Sequence, residues 1–387
     1  MTSSVAIIGA GPAGLMAADI LSAAGLQVDI YDRMPSVARK FLMAGRGGLN
    51  LTHTEPFERF VARYGKKSHP LRPALEAFTP KDLRDWADAL GAETFVGTSG
   101  RLFPKAMKAS PLLRQWLRRL DAQGVRLHPR HDWQGFDKEA LIFTQGPVTI
   151  RIRPEVTILA LGGASWPKLG ADGGWMPYLQ DKGVEMAPFL PANVGFQTRW
   201  SVAFADRFAG QPLKNIAVNF KGRAVKGELM LTHNGVEGGV IYALSADLRD
   251  ALTKDGFADI AIDLRPDMNS GQVSSKLGRA SPKDSLSNRL RKSLNLSPAA
   301  IALVHEVKAT DIKTVMVRLT GMQSLERAIS SAGGIRFSSL SPDFEIKALP
   351  GIYAVGEMLD WEAPTGGYLL QACFSTAVMA ARSILRQ

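Results

Sequence analysis

The chain of 387 residues contains one cysteine, Cys373. A single thiol forms no internal disulfide, no cysteine-rich zinc site and no paired-thiol redox centre, so disulfide-exchanging enzymes are excluded. Nor does any stretch supply the roughly 18 uninterrupted apolar residues that a membrane helix requires. The apolar run Val5–Ile8 leads directly into a glycine turn at Gly9, so the N-terminus reads as part of the fold, and the expected location is cytoplasmic. Internal repeats and low-complexity tracts are absent too. What remains is a composition ordinary for a globular protein, 45% hydrophobic and 21% charged, with room for two or three domains.

Cations outnumber acids in two places. The net charge is +11, and residues 61–135 carry 14 Lys/Arg against 7 Asp/Glu while residues 191–335 carry 19 against 13. Everything else is close to neutral. Such a field suits a phosphorylated cofactor, an anionic metabolite or RNA, or else simply a soluble basic surface. The run Lys276–Lys292 holds six cations against Asp284 alone and contains no aromatic residue, so it offers no platform for base stacking.

Residues 4–8 read as a short buried strand, followed by Gly9, Gly11 and Gly14 in Gly-x-Gly-x-x-Gly spacing with Pro12 and Ala13 between. A helical pattern then runs to about Ala24, Gly25 ends it, and Gln27–Tyr31 forms the next strand, closed by Asp32 and Arg33. In such a βαβ unit the first glycine turns the chain and the second lets backbone approach a pyrophosphate. The third packs helix on strand, and the acid at the end of the second strand accepts ribose hydroxyls. This unit alone does not separate NAD from FAD. A second fingerprint of the kind is missing, whereas Thr157–Gly163 and Gly351–Glu357 each run a strand into glycine, the latter delivering an acid.

Residues 56–121 read as mainly helical with breaks at Pro70, Pro73, Pro80, Pro104 and Pro111, and short strands follow at 125–127, 141–143, 148–152 and 156–161. Pro188 and Pro191 mark a boundary. Beyond it come strands near 217–220, 229–231 and 260–264, then helices between about 270 and 320. Strand 352–355 and a closing helix from about 367 to 385 return to the first pattern, and parallel strands need crossovers, so this strand belongs in the N-terminal sheet.

The segments Gly9–Gly14, Leu159–Gly163 and Ile352–Glu357 resemble the three FAD-contact motifs of glutathione-reductase-like flavoproteins. The resemblance narrows to the BaiN/RdsA (YhiN-like) family through Lys40–Thr52, Gly162–Pro167, Thr232–Gly235, Ala332–Ile335, Gly356–Asp360 and Thr365–Gln371. It implies an α/β fold: a discontinuous Rossmann-like FAD-binding domain of three layers around a parallel sheet, residues 1–190 plus 336–387. Residues 191–335 are then an inserted mixed α+β substrate domain, β-rich first and helical second, with the flavin between the two. The implied function is an FAD-dependent oxidoreductase, reduced transiently by NAD(P)H and passing a hydride to a second substrate. One branch of the family is linked to uridine reduction in ribosomal RNA; the alternatives are an oxidase or dehydrogenase of a small metabolite, and a flavin-bound protein without turnover.

The same resemblance places Ala44, Gly45, Arg46, Gly47, Gly48 and Asn50 along the isoalloxazine, and Lys40 and Arg46 near phosphates or flavin carbonyls. Ala160, Leu161 and Gly162 contribute the second motif. Gly356 and Glu357 contribute the third, with Glu357 on the ribityl chain, and Gly366, Gly367, Tyr368 and Leu369 open the last helix toward flavin N1/O2. Trp133 lies where such folds touch adenine, or is an ordinary half-buried tryptophan. Arg101, Lys105 and Lys108 bind an anionic substrate or are merely solvated. His233, and after it Tyr368, are the candidate proton donors, although a lone histidine is commonly a structural hydrogen-bonder. Cys373 reads as core. The chain departs from the family where Gly47-Gly48-Leu49-Asn50 lacks the usual cysteine and where Tyr368-Leu369-Leu370-Gln371 replaces Tyr-Asn-Leu-Gln.

Overall fold

A computed structural model describes residues 4–45 and 47–387. The chain forms two compact units, one from residues up to Pro191 together with Ser330–Gln387, the other Ala192–Ile329. The segment Ser330–Ile335 lies in the first unit because it pairs as a strand with Met186–Ala192.

The first unit is built on a five-stranded sheet in the order 352–354, 156–159, 4–8, 27–32, 126–129. All four pairings are parallel. Strands covered on both faces read as continuous apolar runs, and Val5, Ala6, Ile7 and Ile8 are all buried. Helix Pro12–Ala23 starts with proline at its first position, where the missing amide costs nothing, and buries Leu15, Met16, Ala18 and Leu21 against the sheet. The closing helix Tyr368–Ile384 packs beside it.

Two small antiparallel sheets are attached. One joins 132–137, 140–145 and 148–152; the other joins 52–53, 101–104 and 94–96. The latter interrupts the region read as mainly helical, whose helices are 57–62, 68–77, 80–89 and 109–122. Pro70, Pro73 and Pro111 lie inside these helices and do not break them. Pro70 and Pro111 fall in a first turn, where the backbone nitrogen has no acceptor within the helix.

The second unit has a seven-stranded antiparallel sheet in the order 315–319, 258–263, 212–220, 223–232, 235–237, 196–197, 321–322. Helices 202–208, 239–243, 245–255, 270–278, 286–294 and 298–306 complete it. Residues 315–319, expected among helices, form a strand: Val315, Val317 and Leu319 alternate inward with period two against 258–262.

Candidate functional site

In the first unit the three glycine-rich motifs meet at the carboxyl ends of the parallel strands. Leu159 lies in register with Ile8 on one side and Ala354 on the other, so Gly9, Ala160 and Val355 emerge side by side. A Cβ added to Gly9, at φ +105°, would lie 2.3 Å from the Ala160 carbonyl oxygen. One added to Gly14 would lie 1.9 Å from the Gly9 carbonyl oxygen. Gly11 differs: its φ is −82°, and an added Cβ meets nothing within 4 Å. Two glycines therefore hold the turn together and one faces open space, which is the division of labour that an approaching pyrophosphate requires.

The helix that follows adds donors. Its first bond runs from the Leu15 amide to the Gly11 carbonyl at 3.0 Å, so the Ala13 and Gly14 amides have no acceptor within the helix, and Pro12 has none to offer. Gly356, at φ +80°, packs on Ala13, which brings the third motif onto this helix N-terminus.

Asp32 accepts from the Ala10 amide at 2.7 Å and the Met34 amide at 2.8 Å. Burial holds its carboxyl above the ordinary value, partly offset by those two bonds. Arg33 extends to Asp172, at 2.6 Å, on the exposed rim. Trp133 is buried between Phe136 and Tyr178, with its indole nitrogen unpartnered among the described residues.

Lys40, on helix Arg39–Ala44, places its ammonium 2.8 Å from Glu357 and 3.0 Å from the Ser165 hydroxyl. Glu357 also accepts from the Ser331 amide at 3.1 Å, and Ser331 Oγ accepts from the Ala164 amide at 3.1 Å. Lys40, Ser165, Ser331 and Glu357 are thus one polar cluster, joining residues more than 300 positions apart in the chain. Ser331 was not singled out from the sequence; its position beside Ala332-Gly333-Gly334 was the only available pointer.

Downstream of that helix, Leu49 and Leu51 are fully buried and bond to the Met107 and Leu102 carbonyls, which pins the glycine-rich loop. Gly45 packs on Ala109 and Gly48 on Met107, whereas Ala44 and Gly47 are exposed. Asn50 carries a buried side-chain oxygen without a partner among the described residues. Arg46 lies outside the described residues.

Gly366 and Gly367 open the closing helix. Both have positive φ, and a Cβ on Gly367 would meet the Thr52 backbone at 2.5 Å. The first helical bond joins the Gln371 amide to the Gly367 carbonyl, so the amides of Tyr368, Leu369 and Leu370 lack acceptors within the helix. Arg101 borders this opening, its Nε 3.9 Å from a Cβ built on Gly366. Lys105 instead pairs with Glu93 at 2.5 Å, and Lys108 is exposed.

Tyr368 is held as a brace. Its ring packs on His53 and Phe60, its hydroxyl donates to Glu55 at 2.5 Å, and Glu55 is bonded twice by Arg63. Burial, then Glu55, pushes the Tyr368 hydroxyl well above the ordinary tyrosine value, which makes it a poor proton source. This Glu55–Arg63 partnership was not legible in the sequence.

His233 lies in the second unit, in the turn joining strands 223–232 and 235–237. Its side chain is 64% exposed and sits 3.2 Å from Asp206. Hydrogen bonds to Asn234 and then Asp206 raise its pKa. Cys373 is half-buried and packs against the core, and desolvation pushes its thiol up to about 12, in keeping with a packing residue. No group of three or more potential metal ligands occurs among the described residues.

The parallel sheet with these motifs at its carboxyl edge defines a Rossmann-like flavoenzyme fold. The HI0933-like protein Rossmann domain family matches residues 3–383, and the chain belongs to that family. It is 25% identical to the 3-dehydro-bile acid delta(4,6)-reductase of Clostridium scindens, over 98% of each chain. It is 24% identical to the ribosomal RNA dihydrouridine synthase of Escherichia coli, over 98% of this chain and 97% of that one. Among solved structures, the 3-ketosteroid delta1-dehydrogenase of Sterolibacterium denitrificans aligns over 100% of both chains with a TM-score of 0.57 and 11% identity. A flavocytochrome c3 fumarate reductase aligns over 99% of this chain and 78% of its own, with a TM-score of 0.54 and 15% identity. The protein is an FAD-dependent oxidoreductase.

Proposed function

We propose that this chain is a reductase in which NAD(P)H supplies a hydride, by way of bound FAD, to a carbon–carbon double bond of a second substrate, and that the substrate is uridine in RNA. Saturation of such a bond is common to the names of the two curated relatives above. FAD, when bound, supplies the acceptor and donor of the hydride.

The chain's own residues supply binding and charge. Ala13 and Gly14 amides, beside Gly11, would hold the pyrophosphate, and Asp32 the adenine-side ribose, with Arg33 at its rim. Glu357 would accept a ribityl hydroxyl, held in place by Lys40 and Ser331. The loop through Ala44, Gly45, Gly47, Gly48 and Asn50, together with Ala160, Leu161 and Gly162, would line the ring and its ribityl arm.

The observation that carries a reductive role is the Gly366–Gly367 opening of the closing helix. Amides of Tyr368 and Leu369, aided by the helix dipole and by Arg101, would face the N1/O2 edge and stabilise the negative charge of the reduced cofactor. His233 is the candidate proton donor to the substrate. The charge balance of residues 191–335 supports RNA over a neutral metabolite.

An anaerobic visible spectrum with NADH, then NADPH, then total ribosomal RNA tests this reading. Bleaching by a nicotinamide and recovery on adding RNA is the expected result. Bleaching with recovery only on a small enone substrate would move the assignment to metabolite reduction, and no bleaching by either nicotinamide would refute the reductase.

A further inference from the structure

The second unit concentrates its excess charge in one stretch. Residues 192–329 contain 19 Lys/Arg and 13 Asp/Glu, yet six of those cations and only one of the acids, Asp284, fall between Asn269 and His305. The rest of the unit is balanced, thirteen against twelve. A surface that serves solubility alone intersperses the two signs.

The stretch folds as a helical hairpin with firm ends. Helix Ser270–Gly278 begins in a capping box: Asn269 accepts from the Gln272 amide at 2.8 Å, and Gln272 accepts from the Asn269 amide at 2.9 Å. Helix Leu286–Leu294 is capped by Ser285, whose hydroxyl accepts from the Asn288 amide at 3.3 Å. Val273, Leu290 and Leu294 are buried in the core of the unit, and Arg289 crosses the hairpin to the Leu277 carbonyl at 3.4 Å.

Lys276, Arg279, Lys283 and Arg291 are exposed. The only acid nearby in sequence, Asp284, is taken by Lys292 at 2.9 Å. Among the described residues, none of the four has a carboxylate within ion-pair distance; Lys214, Lys254, Lys308 and Arg327 elsewhere in the unit have none either, but they are scattered along a balanced stretch, whereas the hairpin cations are clustered. The four hairpin charges are therefore directed at solvent without compensation.

We infer that this hairpin is a docking surface for the sugar–phosphate backbone of RNA, with Lys276, Arg279, Lys283 and Arg291 each meeting a phosphate. The inference rests on the RNA reading above and adds the place of contact. No Phe, Trp or Tyr lies between Asn269 and His305, so bases find no stacking surface, and the contact positions the RNA without reading its sequence. Exposed Ser274, Ser275 and Ser281 add hydroxyl donors. An anionic membrane fits less well, because interfacial helices need an apolar face to insert and Leu286 is the one large apolar side chain exposed here.

The test compares the FAD-loaded wild type with the quadruple variant K276Q/R279Q/K283Q/R291Q, and with a control variant K214Q/K254Q/K308Q/R327Q that removes as many exposed cations from the same unit. Affinity for total ribosomal RNA is measured across a salt series. Both variants should keep the flavin spectrum and the rate of bleaching by NADPH. The hairpin variant should lose about three units from the slope of log affinity on log salt, so that between 50 and 200 mM salt its affinity falls roughly 60-fold less than that of the wild type. The control should keep most of the slope. Equal slopes in wild type and hairpin variant would overturn the surface while leaving RNA as substrate, and so would equal losses in the two variants. A wild type that binds no RNA at low salt would refute the RNA reading itself. Wild-type binding to phosphatidylglycerol vesicles that the hairpin variant loses, with RNA binding unchanged, would assign the surface to a membrane.

Discussion

Replacing Gly11 by valine should separate cofactor binding from folding. Gly11 has extended backbone that any residue adopts, and an added Cβ enters open space. Loss of a serviceable helix N-cap should cost the apoprotein no more than about 1 kcal/mol, a drop in Tm of about 2–4 °C. The branched side chain would, however, stand where the pyrophosphate approaches the Ala13 and Gly14 amides. Each hydrogen bond to a charged group contributes about 1.5–3 kcal/mol, so losing two weakens FAD binding by about 3–6 kcal/mol, or roughly 10²- to 10⁴-fold in Kd. Calorimetric titration of FAD into wild-type and variant apoprotein, beside their melting curves, reads both quantities. The counterparts Gly9→Val and Gly14→Val should fail earlier, as unfolded protein, because their side chains would overlap the Ala160 and Gly9 carbonyl oxygens. A Gly11→Val protein with an unchanged FAD Kd would refute the reading of this turn.

Lys40→Met leaves the Glu357 carboxylate without its cation. Lys40 and Glu357 are 25% and 15% exposed, so we expect a stability loss of about 1–2 kcal/mol and weaker FAD retention, and unchanged values for both would remove the cluster from the cofactor site. Tyr368→Phe should cost about 1 kcal/mol by removing one charged hydrogen bond to Glu55, which Arg63 still holds, with kcat within about tenfold of wild type. A loss of about 10²- to 10⁴-fold in kcat with intact stability would restore Tyr368 as the proton donor. Because its partners favour the imidazolium, His233 adds stability below its unfolded pKa, and that contribution disappears as pH rises through the higher folded value. Asp206→Asn should move the His233 titration followed by NMR to lower pH, and the alkaline limb of the turnover profile should follow if His233 supplies the proton.

The local elements with strong short-range rules were legible in the sequence. The first βαβ unit, the glycine spacing, the acid at the end of the second strand and the closing helix all depend on residues a few positions apart. The return of strand 352–354 to the N-terminal sheet also followed, from the rule that parallel strands need crossovers. The strand at 315–319 was missed because its alternation is brief and follows three helices, so only pairing with 258–262 reveals it. Strands 94–96 and 101–104 were missed for the same reason.

Within the candidate site, the sequence by itself determined which residue types gather at the carboxyl edge of the sheet and where the backbone must be bare, because glycine is demanded by steric contact within a single turn. Tertiary structure alone decided how the polar side chains are shared out. Lys40 meets Glu357, and Tyr64 and Glu55 converge on Tyr368, across separations of more than 300 residues. It also decided that the Tyr368 hydroxyl is engaged by Glu55 and that four cations on the hairpin stand unpaired. Charge pairing and burial depend on which distant segments the folded core brings together, and no local pattern along the chain carries that information.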